Sequence, residues 1–237
     1  MSYFEYNHVM AGYTKEMDVL HDVSFSLEKD DRIALIGANG AGKSTILKTI
    51  SGIVKIREGS IVFQGEHLEK LKPHEIVQRG VIQVPEEGGT FPNLSIEENL
   101  YISCQTKRSK ENRAKNMEFV YDMFPPLAEK CKQDADSLSG GQRKMLSIGK
   151  AIMEDPEILL LDDISMGLAP KVVEDLYAML KKLVEQLNKP VILVEQIVDI
   201  ALDFAEFGYV VTQGRIVMSG TSEELSNSTE VQHYYIG

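Results

Sequence analysis

The sequence predicts an α/β protein with a largely parallel central sheet and a helical segment inserted into it, on three observations. Strand-like apolar runs alternate with helix-period segments along most of the chain. The apolar run at 32–36 leads directly into a glycine-rich loop that opens a helix. Between 107 and 137 the strand pattern disappears.

In chain order, the strand-like runs are 22–27, 32–36, 60–63, 81–84, 158–162, 191–194 and 209–212. The first belongs to a β-rich opening portion, which a charged turn at 28–31 separates from the glycine-rich loop. In the inserted segment Met117, Val120, Tyr121 and Phe124 fall at helical spacing, and Pro125-Pro126 stop that helix. The cluster Lys107, Arg108, Lys110, Arg113 and Lys115 reads as a solvated helix face, because the overall balance is acidic.

With 237 residues, 43% of them hydrophobic, the chain can bury a substantial core, which excludes a disordered protein and fits one domain carrying an insertion. A net charge of -11 works against a nucleic-acid backbone, so no nucleic-acid partner is expected. Cys104 and Cys131 form no C-x-x-C and join no histidines at metal spacing, as in a protein of a reducing compartment, and read as packing residues. No apolar stretch approaches the ~20 residues that span a bilayer, and Glu5 without a following apolar block argues against a signal peptide. A role at a membrane would come through a partner.

Residues 37–45 read Gly-Ala-Asn-Gly-Ala-Gly-Lys-Ser-Thr, the phosphate-loop pattern G-x-x-x-x-G-K-[ST]. Glycines at 37, 40 and 42 let backbone N–H groups point into one concavity, where phosphate oxygens replace water. Lys43 would reach the outer phosphates and Ser44 would ligate magnesium, with the helix from 44 to 50 turning its positive end to the loop. A second segment, 158–163, is an apolar run ending in Asp162-Asp163. A strand covered on both faces has this composition, and its terminal carboxylates emerge beside the phosphate site. Asp162 is then placed to hold magnesium and Asp163 to orient or deprotonate water. Alone, such a run is equally a strand meeting a loop; downstream of a phosphate loop the functional reading takes precedence.

The third segment is Leu138-Ser139-Gly140-Gly141-Gln142, ahead of an amphipathic helix through Met153. Ser139 suits an N-cap, and the glycines free N–H groups at a helix start, which is again anion-binding chemistry. One triphosphate does not need both ends, so the second is aimed at a nucleotide held by another copy.

With these three motifs the whole chain resembles an ATP-binding-cassette ATPase, with Walker A at 37–45, the LSGGQ signature at 138–142 and Walker B at 158–162. The resemblance implies a RecA-like core (32-100 and 150-237), an antiparallel β portion (1-31 and about 56-72) and a helical signature portion (about 101-149). It implies ATP and Mg²⁺ bound by Gly37, Asn39, Gly40, Ala41, Gly42, Lys43, Ser44 and Thr45. Ser139, Gly140, Gly141 and Gln142 of a second subunit, the same or paralogous, would close a head-to-tail dimer. It also implies an aromatic side chain on adenine, for which Tyr13 is the choice against Tyr3, Phe4 and Tyr6.

The chain is further similar to the ATPase subunits of branched-chain amino acid importers, in residues 34–43, in Val84-Pro85-Glu86, in Gly167-Leu168-Ala169-Pro170, in Leu193-Val194-Glu195-Gln196 and in the terminal Tyr235-Ile236-Gly237. That likeness implies permease subunits docked at the Q-loop region, a binding protein acting indirectly, and a peripheral position on the cytoplasmic face of the membrane for a chain that is soluble when isolated. Ser95-Ile96-Glu97-Glu98 fits a capping box that starts the next helix. Glu86 stands at the magnesium-contacting Q-loop position and Gln196 at the switch position, where an amide donates to phosphate without titrating.

Three departures stand out. Asp163 replaces the glutamate expected after Walker B, Ile164 replaces the following proline, and Glu87-Gly88-Gly89 replaces a basic stretch. Asp163 sits on the order of 1 Å back from the water, a displacement that costs about 10²-fold in rate. Two classes follow: a transport motor using Asp163, Gln196 and Lys43 in catalysis, or a soluble, weakly active nucleotide-gated module.

Overall fold

Apolar residues at both parities of the later strands require a sheet covered on both faces, and the fold supplies one. A computed structural model describes residues 2–14 and 16–231. The chain opens with β1 (Phe4–Ala11), β2 (Leu20–Leu27) and β3 (Arg32–Ile36), then α1 (Lys43–Ile50), β4 (Ile56–Phe63), β5 (Glu66–His67), α2 (Pro73–Gln78) and β6 (Val81–Val84). A helical stretch follows: α3 (Ile96–Ser103), α4 (Lys107–Glu111), α5 (Arg113–Met123), α6 (Pro125–Glu129) and α7 (Gly140–Met153). The chain returns through β7 (Ile158–Asp162), α8 (Pro170–Leu187), β8 (Val191–Glu195), α9 (Val198–Phe204), β9 (Phe207–Thr212), β10 (Arg215–Thr221) and α10 (Ser222–Ser226).

A six-stranded sheet has the order β10-β9-β3-β8-β7-β6, with all neighbours parallel except β10 on β9. Its two faces feed two cores. Ala34, Ile36, Leu159, Leu161 and Leu193 pack toward α7, α8 and α9, while Ile33, Leu35, Ile158, Leu160 and Ile192 pack toward α1 and a four-stranded antiparallel sheet of order β2-β1-β4-β5. The Tyr6 hydroxyl joins β1 to α1 through Thr49 at 2.8 Å, and its ring stacks on Phe25 at 4.8 Å.

Three strands lie outside the expected runs: β1, β10 and the two-residue β5, which is too short to show a pattern. In β1, Phe4, Tyr6, Val9 and Ala11 are buried, but a register shift after Tyr6, with His8 at φ 49°, breaks the period of two that betrays a strand. In β10 only Gly220 is buried, so this edge strand carries no apolar alternation.

In the helical stretch Val120 and Phe124 are fully buried, with Met117 and Tyr121 packed partly against the same core. Pro125-Pro126 end α5 and also occupy the first turn of α6, where a missing N–H costs nothing. A methyl group on Gly149 would sit 2.9 Å from Val120 Cγ1, which is how closely α7 meets α5. The capping box at Ser95 forms, with Glu98 N donating to Ser95 Oγ at 3.2 Å and Ser95 N donating to Glu98 Oε2 at 2.8 Å. These helices begin at Ile96 and end at Met153, a few residues outside the expected 101-149.

The basic cluster is a solvated face only in part. Arg108 pairs with Glu157 at 2.7 Å and Asp155 at 3.2 Å, fastening α4 to the segment before β7, and the Arg113 guanidinium lies 4.1 Å over the Tyr101 ring. Two partly exposed acids beside Arg108 answer its charge locally and override the whole-molecule charge argument. Cys104 is buried and donates to the Met153 carbonyl at 3.3 Å.

Candidate nucleotide site

Parallel pairing brings the carboxyl ends of four strands together: Ile36 of β3 stands opposite Glu195 of β8, Val194 opposite Asp162 of β7, and Leu161 opposite Val84 of β6. The loop after β3 passes close under β9; a Cβ on Gly37 would lie 2.2 Å from the Val211 carbonyl oxygen, so only glycine fits. Gly42, the residue before α1, takes φ 106°, which L side chains rarely adopt. α1 itself begins at Lys43, one residue earlier than expected.

Lys43 reaches back across this loop and donates to the carbonyl oxygens of Gly37 at 2.6 Å and Ala38 at 3.1 Å. Burial pulls its pKa down, opposed by the carboxylates of Asp163, Glu195, Asp162 and Glu86. The Ser44 hydroxyl donates to Asp162 Oδ1 at 2.8 Å. Burial pushes the Asp162 pKa up, and this hydrogen bond partly offsets it. Tyr13 is 59% exposed, its hydroxyl 3.2 Å from Thr45 Oγ1, whereas Phe4 and Tyr6 are fully buried and Tyr3 packs edge-on to Phe63. Of the four aromatic candidates, Tyr13 is the one that meets the loop.

Tyr13, Asn39, Gly40, Ala41, Gly42, Lys43, Ser44, Thr45, Glu86 and Asp163 line one cleft of about 400 Å³. Gly140 lines a different cleft, of about 510 Å³, with Glu86, Lys144 and Met166. Ser139, exposed at the start of α7, accepts from Gln142 N at 3.3 Å and donates its N–H to Gln142 Oε1 at 3.2 Å, while Gly141 is buried against Val172. The phosphate loop and the signature segment therefore line neighbouring clefts that meet at Glu86 and Met166, and no signature residue lines the phosphate-loop cleft. Gln196 is exposed just past β8 and lines neither cleft.

Asp163 is the unusual group. Its backbone takes φ 43°, it is 7% exposed, and its carboxyl lies against that of Glu195. Burial and then the Glu195 charge push its pKa up to about 7, with Lys43 pulling the other way. Glu195 is fully buried, and its Oε1 accepts from Ser165 Oγ at 2.7 Å, Gln196 N at 2.9 Å and Ile197 N at 3.3 Å. Its Oε2 accepts from the Tyr177 hydroxyl at 2.5 Å.

The Q-loop is bound to α7. Lys144 donates to the Glu86 carbonyl and Lys150 to that of Gly89, the Lys150 ammonium lies 4.4 Å from the Phe91 ring centroid, and a Cβ on Gly89 would meet Ser147 Oγ at 2.6 Å. Residues 144, 147 and 150 share one helix face, and the loop is laid along it. Glu195, Lys144 and Gln83 were not anticipated from the sequence; the readable signal for Gln83 was a lone amide inside the apolar run Val-Ile-Gln-Val.

A family profile described as ABC transporter matches residues 20–165. The chain belongs to the ABC transporter family. It is 39% identical over 231 residues to the high-affinity branched-chain amino acid transport ATP-binding protein BraG of Pseudomonas aeruginosa, covering 96% of this chain and 97% of that one. It is 34% identical over 227 residues to the probable branched-chain amino acid transport ATP-binding protein LivF of Archaeoglobus fulgidus, covering 96% and 95%. Among solved structures, an ATP-binding cassette of an ABC transporter in its ADP conformation matches with a TM-score of 0.85 at 25% identity, over 100% of this chain and 99% of the other. The chain is thus the ATPase subunit of an ABC transporter, of a family whose cassettes bind nucleotide and work as dimers with membrane permease components. Among the described residues no helix is long and apolar enough to cross a membrane.

Proposed function

We propose that this ABC subunit hydrolyses ATP to drive import of branched-chain or other amino acids, as one half of a head-to-tail dimer seated on permease subunits at the cytoplasmic face of the membrane. The observation that carries the mechanism is that no signature residue lines the phosphate-loop cleft, although the cleft beside the signature adjoins it at Glu86 and Met166. Phosphate-loop groups line one cleft and Gly140 at the start of α7 lines the adjoining one, and in this reading each is half of a site that a second subunit completes. The substrate class rests on the relatives from Pseudomonas aeruginosa and Archaeoglobus fulgidus.

The side chains suit MgATP. Ser44 Oγ already holds Asp162 Oδ1, and with Glu86 they make an all-oxygen donor set of the kind a hard cation takes. Gly40 leaves open space within 4 Å of where a Cβ would stand, so backbone can meet phosphate there. Bound magnesium would supply charge neutralisation at the outer phosphates. In this reading Lys43 exchanges the Gly37 and Ala38 carbonyls for phosphate oxygens, Tyr13 stacks on adenine, Gln196 donates to the γ-phosphate, and Ser139 to Gln142 contact the nucleotide of the opposite subunit. Asp163 accepts the proton of the attacking water, which it does only when ionised.

Asp163 makes the motor a slow one. It is a methylene shorter than glutamate and faces Glu195, which favours a long-lived ATP-bound dimer and also supports the second reading, a nucleotide-gated module of low turnover. Steady-state turnover of the native chain beside Asp163→Glu separates these. A rise of about 10²-fold in the variant is expected, and equal rates would sink the reach argument. Recovery of a multi-spanning protein with the chain from detergent-solubilised membranes supports the motor; a chain that purifies alone while binding ATP supports the module.

A further inference from the structure

Gln83 sits in β6 between the buried Ile82 and Val84, and its side chain turns to the carboxyl end of β7. Its Nε2 donates to Asp162 Oδ2 at 3.3 Å. A carboxylate only accepts hydrogen bonds, so the amide nitrogen must face it and the amide oxygen must point elsewhere. That oxygen, Oε1, is buried and has no hydrogen-bond partner among the described residues. Gln83 is itself half-buried, but its Oε1 is shut off from solvent, and an unmet acceptor there costs free energy, which makes the orphaned oxygen the unexplained feature of this strand. Gln83 lines a cleft of about 590 Å³ together with Lys48, Glu86 and Asp162.

We propose that Gln83 is a positioning residue for the divalent cation, resting on the reading of Asp162 as the carboxylate that holds it. Nε2 fixes Oδ2 of Asp162 and so leaves Oδ1 to Ser44 and the cation, while Oε1 accepts a hydrogen bond from water in the cation's hydration shell. Magnesium keeps several of its waters when protein bound, and each such water is a strong donor. The Lys48 ammonium is the competing donor within this cleft, and it would act without the metal.

The test uses the full chain and a fluorescent ATP analogue, titrated once with Mg²⁺ and once with EDTA; the ratio of the two Kd values reads the cation's contribution. Gln83→Leu and the near-isosteric Gln83→Met are each expected to shrink that ratio about tenfold while leaving the EDTA Kd unchanged. Asp162→Asn is the control for the site itself. If Asp162→Asn collapses the ratio and both Gln83 variants keep the native one, the role of Gln83 is overturned and the site stands. If the Gln83 variants weaken binding equally with Mg²⁺ and EDTA, the amide serves packing or Lys48 and the role is likewise overturned. If Asp162→Asn also leaves the ratio untouched, the cation reading fails and this inference goes with it.

Discussion

Replacing Glu195 with glutamine removes one charge beside Asp163 while leaving the local hydrogen bonds in place. The amide Oε1 can accept from Ser165 Oγ, Gln196 N and Ile197 N as the carboxylate does, at the present 2.7, 2.9 and 3.3 Å. The Tyr177 hydroxyl, now 2.5 Å from Oε2, rotates to accept from the new amide nitrogen. What disappears is the second-largest cause of the raised Asp163 pKa, whereas burial, the largest, stays. The midpoint should therefore fall from about 7 without returning to the ordinary aspartate range. With a midpoint near 7, about a tenth of Asp163 is ionised at pH 6; lowering it tenfold in ionisation constant ionises about half.

Steady-state ATPase activity from pH 5.5 to 8.5 reads this directly. Glu195→Gln should run about fivefold faster than the native chain at pH 6 and about equally at pH 8, with the acid limb displaced to lower pH. Stability moves in a linked way. A carboxyl whose folded pKa is raised contributes stability that is fully present below about pH 4, its unfolded pKa, and is lost as pH rises through about 7. The native Tm should thus fall across that window more than that of the variant, by a few °C at pH 8, since a tenfold change in ionisation constant is about 1.4 kcal/mol. Superimposable acid limbs and parallel Tm curves would refute the carboxyl-pair account.

Other tests reach other parts of the fold. Lys43→Met removes both contacts to Gly37 and Ala38 and the one buried ammonium of the loop; equilibrium dialysis should find ATP affinity reduced by about 10-fold or more, at 2 kcal/mol or so for a charged hydrogen bond. Lys144→Met with Lys150→Met frees the Q-loop from α7, and amides 86–91 should exchange with deuterium faster while those of β7 do not change. Gly149→Val drives a side chain into Val120 and Leu100, and urea unfolding should register a loss of about 1–3 kcal/mol. Leu160→Ala empties a fully buried position in β7, for about 2–5 kcal/mol by the same measurement.

The three motifs and the alternation of elements were legible because each depends on local chemistry: glycine where φ turns positive, an apolar run where both faces of a strand are covered, a serine three residues ahead of its capping partner. β1 was hidden because its bulge at His8 interrupts the period of two, and β10 because an edge strand with one buried residue has no pattern to read. The basic cluster misled for a different reason. Net charge is a property of the whole chain, while Arg108 answers to Asp155 and Glu157, nearly fifty residues away in sequence and within 3.2 Å in space.

Two of the site residues that escaped the sequence, Gln83 and Glu195, share one trait: each is a polar side chain inside an apolar strand, near the edge where the parallel strands end. Gln83, Asp163 and Glu195 come from β6, the turn after β7 and β8, and parallel register alone brings them together. A single strand gives no hint that Glu195 will face Asp163, since the pairing that puts Val194 beside Asp162 is long-range. The same register also bears on the length of the side chain at position 163. A glutamate there would push its carboxyl a methylene further from Glu195 and toward the loop, relieving the like-charge contact that the shorter side chain keeps. Asp163→Glu should therefore lower the acid limb of the pH profile as well as raise the rate. A faster variant whose acid limb stays near pH 7 would mean that reach and charge are set by different neighbours.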